Sequence, residues 1–284
     1  MNRLPTFDLA HTIVPALGMG TWYLGEGNAA QSQQEMQALR YGLDHGLTVI
    51  DTAEMYGEGA AETLVGQAIA PYDRHQLYLI SKFYPWHATA TQMKKALEAS
   101  LVRLGTDYLD LYLYHWRGNT PLAETLAGMA ALKKAGLVKA YGVSNFDVAD
   151  LKEAATLPDG DGIAANEVLY NLKARGIDYD LRAYQKAHGQ SVIGYSPFNS
   201  GAGNTITLPQ SLQDLAKSKH ITAHQLLLAW TWRHQDVLAI PKASSIAHVQ
   251  ANLEALEISF TADELALIDT VFPAPTQPVP LAMI

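Results

Sequence analysis

The chain has 284 residues, of which 48% are hydrophobic and 17% charged, enough apolar material for a large core and too much for wholesale disorder. The formal net charge is −8, so the basic face of a nucleic-acid-binding protein is not expected. There is no cysteine, which excludes disulfides, thiolate metal sites and cysteine nucleophiles and suits a reducing cytoplasm. The opening stretch MNRLPTFDLA lacks an apolar segment of signal-peptide length, and no apolar run approaches a membrane span. The expectation is a cytoplasmic protein that engages neither membrane nor nucleic acid.

In chain order, TFDLAHTIVPALG predicts a short hairpin that plugs the bottom of whatever follows. Eight strand-like runs come next: PALGMG (15–20), LTVIDT (47–52), LYLISK (77–82), YLDLYLYH (108–115), VKAYGVS (138–144), IAANEV (163–168), SVIGYS (191–196) and VLAIPK (237–242). Between them lie helical stripes. Ala61, Leu64, Val65, Ala68 and Ile69 share one face, as do Met93, Ala96, Leu97, Ser100, Leu101 and Leu104. Leu122, Leu126, Met129 and Leu132 make a rougher stripe, and Thr222 is placed to cap a helix over 221–234. Two further helical stretches (244–256 and 261–272) and a proline-rich tail end the chain. Strands without polar alternation, separated by helices, imply a parallel sheet covered on both faces. Eight such units predict a (β/α)8 barrel of the TIM type, in one domain spanning 1–284, with an N-terminal β-hairpin and two extra C-terminal helical segments.

A barrel of this kind does its chemistry where strands end. The strand ends here are polar: Asp51, Lys82, His115, Ser144 with Asn145, Asn166 with Glu167, Tyr195 with Ser196, and Lys242. Tyr56 follows Asp51 on the next loop. A phenol of reference pKa about 10 is a poor acid near neutrality. A nearby lysine is expected to lower that value, with Asp51 as the partner that makes a buried lysine tolerable. His115 can then donate to a substrate oxygen that gains negative charge. The set suits protonation of a carbonyl oxygen while hydride reaches its carbon. As isolated residues, the same four would read as a structural ion pair, a loop aromatic and a core histidine.

The motifs IDTAEMYG, LISK, YLDLYLYHW, GVSNF, YSPF and IPKAS, together with GMGTW near the start, resemble the aldo-keto reductase superfamily over nearly the whole chain. Within it, GTWYLGEG, YPW and NEVLYNL look most like bacterial methylglyoxal-reductase-type members. The resemblance implies Asp51, Tyr56, Lys82 and His115 as a catalytic tetrad with Tyr56 as the acid. It implies NADPH as cofactor without a Rossmann motif, and indeed GEGAAE (57–62) and GAGNTI (201–206) both fail at the third glycine. Tyr195 would stack on the nicotinamide, and Ser144, Asn145 and Glu167 would hold its carboxamide. Gly20, Thr21 and Trp22 would flank the ring, and Ser196, Pro197 and Phe198 would line the pyrophosphate path. Lys242, Ser244, His248 and Asn252 would serve the adenosine end, where a helix start beside a lysine is also a sound anion site physically. Trp22, Trp86 and Trp116 are expected to wall the substrate pocket.

Three positions depart from the family pattern. Glu167 stands where many members have glutamine, and a carboxylate accepts but cannot donate unless protonated. His248 replaces a common arginine, and Ala251 a common glutamate, so the margin of NADPH over NADH is expected to be smaller than usual; a short loop at 199–208 points to a less firmly strapped cofactor. The implied activity is reduction of small carbonyl compounds such as methylglyoxal by a monomer. The alternatives are a diketo-gluconate reductase, a non-catalytic nicotinamide-binding sensor or scaffold, and an unrelated glycosidase using Asp51 and Glu167. His220 and His224 have a metal-compatible spacing but no third ligand, and PDGDG (158–162) reads as a turn, so no metal is expected.

Overall fold

A computed structural model describes residues 4–199 and 205–284. The hairpin forms from β1 (Thr6–Leu9) and β2 (Thr12–Pro15), paired antiparallel. It then gives way to eight parallel strands: β3 (Met19–Gly20), β4 (Val49–Asp51), β5 (Tyr78–Phe83), β6 (Leu109–Tyr114), β7 (Val138–Ser144), β8 (Ile163–Leu169), β9 (Ser191–Tyr195) and β10 (Val237–Ala239). Each of these eight pairs with its neighbour in sequence. Bridges from Leu17 to Ala239 and from Gly20 to Lys242 bring the first of them against the last and close the barrel. Gly20 permits that closure: a Cβ there would lie 2.6 Å from the Ile240 carbonyl oxygen.

The first and last barrel strands are shorter than their sequence runs of 15–20 and 237–242. Pro15 and Pro241 have no N–H to give a ladder, and closure instead uses single bonds such as Gly20 N–H to the Pro241 carbonyl (3.1 Å). All six residues of β5 and all six of β6 are buried, which explains their missing polar alternation.

The helices are α1 (Ala29–Asp44), α2 (Ala60–Ile69), α3 (Ala90–Leu104), α4 (Leu122–Lys134), α5 (Val148–Ala155), α6 (Leu181–Ala187), α7 (Gln210–Ser218), α8 (Ala223–Trp232), α9 (Ile246–Ala255) and α10 (Ala262–Val271). The stripes on α2 and α3 face inward as expected. Thr222 caps α8 in a reciprocal box with Gln225. Helix α1 packs on both α2 and α9, so α9 completes the ring, while α10 lies against α7. The hairpin sits at the start of β9, with Ala10 N–H donating to Ser191 Oγ (3.0 Å) and that hydroxyl donating to the Asp8 carbonyl (3.1 Å). It therefore covers the end of the barrel opposite the strand C-termini. Among the described residues, no helix is long and apolar enough to cross a membrane.

Candidate active site

Strand register decides which side chains meet. Asp51 ends β4 opposite Ile80, so Lys82 stands two residues further along β5, and His115 follows β6 directly. Tyr56 enters from the loop after β4. That loop turns through left-handed Gly57, Glu58 and Gly59 before α2 begins at Ala60. The φ of +90° at Gly59 is open only to glycine without strain, and a Cβ there would also meet the Arg103 guanidinium.

Lys82 is fully buried, and its ammonium is surrounded by acceptors. It donates to both Asp51 oxygens (2.7 Å each), to the Thr52 carbonyl (3.1 Å) and to the Tyr56 hydroxyl (3.2 Å). Because Tyr56 accepts from the lysine, its own O–H is free to point elsewhere, and Tyr56 lines the cavity at the barrel mouth. His115 presents its ring edge-on to Tyr56 with centroids 5.9 Å apart. Burial lowers the imidazole pKa to about 3, with Lys82 adding to the effect, so the ring is neutral. Its Nδ1 is buried without a partner among the described residues.

The expected lowering of the tyrosine does not survive the fold. Burial raises the Tyr56 hydroxyl above the usual phenol range. Lys82 offsets part of that rise, while Asp51 and Glu167 reinforce it. The lysine therefore makes a protonated phenol less reluctant to give up its proton without making it a phenolate at rest.

The cavity, of about 340 Å³, is lined by Trp22, Tyr56, His115, Trp116, Glu167 and Tyr195 among others, and runs out to Lys242. Gly20, Thr21, Ser144, Asn145, Ser196, Pro197 and Phe198 also border it. Ser144 donates through Oγ to the Glu167 carbonyl (2.9 Å). Asn145, held at φ +61°, receives the Tyr195 hydroxyl on Oδ1 (2.9 Å) and donates to the His115 carbonyl (3.1 Å). Its Nδ2 also donates to Ser144 Oγ (3.1 Å), and a non-glycine residue in that backbone region, locked by these three partners around a cavity, is a positioned element rather than a loose turn.

Other expected members sit differently. Trp86 does not line the cavity: it is 62% exposed and stacks on Tyr84 with centroids 4.2 Å apart, leaving Trp22 and Trp116 as the inner aromatic walls. Ser244, His248 and Asn252 lie outside this cavity, the first two around the start of α9 and Asn252 in its second half. The cap of that helix is Ser245, whose Oγ accepts from the His248 N–H (3.3 Å). Residues 200–204, half of the loop at 199–208 and most of the GAGNTI motif, fall outside the described residues. His220 and His224 are exposed, and among the described residues no cluster of three or more His, Asp or Glu is placed to hold a metal.

Two features were not legible in the sequence. Glu54, inside the DTAEMY motif, is buried and accepts from the Tyr84 N–H (2.7 Å) and from His87 Nδ1 (2.8 Å), tying the loop after β4 to the loop after β5. Met283 and Ile284 of the tail border the cavity mouth. The extended tail carries no periodicity that would have shown where it lies.

A family model for aldo/keto reductases matches residues 16–272. The Escherichia coli K12 methylglyoxal reductase YeaE is 46% identical over 273 residues, covering 95% of each chain. The crystal structure of an aldo/keto reductase from Klebsiella pneumoniae in complex with NADP and acetate superposes with a TM-score of 0.94 at 48% identity, covering 99% of this chain and 100% of that one. The thermostable aldo-keto reductase Tm1743, bound to the inhibitor epalrestat, gives 0.86 at 35% identity over 94% of this chain and all of its own. Closed barrel, polar strand ends and whole-length similarity agree: the chain belongs to the aldo/keto reductase family.

Proposed function

We propose that this protein reduces small carbonyl compounds, methylglyoxal-like dicarbonyls first among them, with NADPH as the reductant and Tyr56 as the proton donor. The observation that carries the reading is Lys82 Nζ bonded at once to both Asp51 oxygens and to the Tyr56 hydroxyl at the cavity wall. The substrate class is supported by the methylglyoxal reductase relative, and the cofactor by the Klebsiella pneumoniae structures in complex with NADP and with NADPH.

The cavity fits such a cofactor. Tyr195, Asn145 and Glu167 share one wall, Glu167 Oε2 is a buried atom without a donor among the described residues, and the exposed Lys242 at the outer end offers a cation to a phosphate. When bound, the nicotinamide supplies hydride to the carbonyl carbon.

The chain's own residues do the rest. Tyr56 gives its proton to the carbonyl oxygen as negative charge develops there. Lys82 stabilises the phenolate left behind, and Asp51 keeps the ammonium in place. Neutral His115 orients the carbonyl through a ring N–H. Trp22 and Trp116 keep the site apolar and narrow, which suits a small substrate. We take the chain to work as a single-domain monomer in the cytoplasm, a setting supported by its acidic balance and lack of cysteine.

Tyr56→Phe tests the assignment. Turnover of methylglyoxal falls about 10²–10⁴-fold, while NADPH still quenches the protein's tryptophan fluorescence with an affinity near that of wild type. Wild-type turnover in this variant removes Tyr56 from the role of acid.

A further inference from the structure

Strands β4 and β8 stand on opposite sides of the barrel, yet the carboxyl groups of Asp51 and Glu167 come within hydrogen-bond reach of each other. Two ionised carboxylates have only acceptors to offer, so contact between them requires a proton. A single ammonium serves both. Lys82 Nζ is 2.7 Å from each Asp51 oxygen but 3.4 Å from Glu167 Oε1, and Glu167 Oε2 meets no donor among the described residues. No side chain of the three is more than 2% exposed.

Fully ionised, the cluster would carry an uncompensated negative charge almost wholly buried in the protein, a costly state. One proton makes it neutral. That proton belongs on Glu167, the carboxyl the lysine serves less well. Burial and the charge of Asp51 push the Glu167 carboxyl well above the usual range, in the same direction.

The other groups facing Glu167 do not compete for this role. The hydroxyls of Tyr56, from the loop after β4, and of Tyr195, from β9, are both raised by burial and stay protonated. His115, beyond β6, is held neutral. Asp51 is also raised by burial, but Lys82 draws it back toward the ionised form.

We propose that Glu167 sets this protein's preference between the reduced and the oxidised cofactor. With its proton, the cluster is neutral and treats the two forms alike. Without it, one net negative charge stands beside the cavity and holds cationic NADP+ more tightly than NADPH. At neutral pH the oxidised product is then released without electrostatic retention, whereas alkaline pH traps it. The glutamine found here in many family members is uncharged at every pH and cannot act in this way. The inference rests on the nicotinamide reading of the cavity.

Fluorescence titration of NADPH and NADP+ against wild type and Glu167→Gln, from about pH 6 to about pH 10, tests it. The 2′-phosphate is common to both nucleotides, so its titration cancels in the ratio of dissociation constants. In wild type the preference for NADP+ over NADPH grows about tenfold with pH, the size expected of one nearby charge; in Glu167→Gln it stays flat. An infrared spectrum of wild type without ligand supplies a second reading: a protonated-carboxyl band at neutral pH that disappears on alkaline titration. A flat ratio in wild type, an equal rise in both proteins, or no such band at neutral pH overturns the proposal. Failure of wild type to bind either nucleotide at any pH overturns the cofactor reading instead.

Discussion

Two buried charge clusters in this barrel are built on opposite plans. At the mouth, two carboxyls share one lysine. Outside the barrel wall, Asp178 is shared by three arginines. Arg175 Nε lies 2.9 Å away, Arg182 Nη1 2.5 Å and Arg233 Nη2 3.6 Å, and the Tyr170 hydroxyl donates to Asp178 at 2.7 Å. The surplus cations are met by further acids: Arg182 reaches Asp236 at 2.5 Å, and Arg175 reaches Asp269 of α10 at 2.6 Å. The outer cluster clamps the loop after β8 to α6, α8 and α10. Burial works against the Asp178 charge, but Tyr170 and the arginines prevail and hold its carboxyl below the usual range. At the mouth the balance goes the other way, and burial raises both acids. A carboxylate that several cations serve stays ionised and braces the fold. A cluster short of cations keeps a movable proton, which is what an acid–base site needs.

Substitutions at the two clusters separate these plans. The largest effect is expected from Lys82→Met, which strips the buried carboxyl pair of the ammonium it shares. Stability falls by about 3–5 kcal/mol, the cost of breaking a buried pair, and methylglyoxal turnover drops at least about 10²-fold. Urea unfolding and steady-state kinetics on the same preparation read both losses. Asp178→Asn is expected to cost a comparable or slightly smaller amount, about 3 kcal/mol, but in stability alone. If its kcat falls as steeply as its unfolding midpoint, the outer cluster is no mere brace.

The pH dependence at Asp178 has a definite sign. A depressed native pKa contributes stability above the unfolded value of about 3.9 that is lost as pH falls through the native value. The gap between wild type and Asp178→Asn therefore narrows in acid.

Glu167→Gln gives the smallest change and the opposite slope. With its native pKa raised, Glu167 keeps a proton that the unfolded chain has released above about pH 4.3. The folded state binds more protons in that window, so wild-type stability declines as pH rises toward the native value. The variant removes that decline, and its advantage over wild type grows with pH. Unfolding curves at several pH values that run parallel for the two proteins would place the extra proton elsewhere.

Much of the site could be read from the linear chain because barrel topology converts order into position. Each β/α unit delivers its last polar residue to the same rim, so Asp51, Lys82, His115, Ser144, Asn145, Glu167 and Tyr195 could be named by counting strands. The paired motif that carries Asp51 and Tyr56, and the glycines at 57 and 59 that let the backbone turn away into α2 behind the phenol, are local properties of IDTAEMYGEG. So are the helix stripes and the Thr222 cap.

Tertiary structure alone decided three things. It placed Trp86 outward, because Tyr84 offers it a stacking face away from the cavity. It reversed the expected direction for Tyr56, since desolvation depends on everything packed around the ring and no spacing encodes it. It brought Glu167 across the barrel to Asp51 and Lys82, a meeting of β8 with β4 and β5 that is fixed by closure rather than by neighbours in sequence. Residue identity and order determine which groups reach the rim. Burial and through-space contact determine which of them carry charge, and those are properties of the closed barrel.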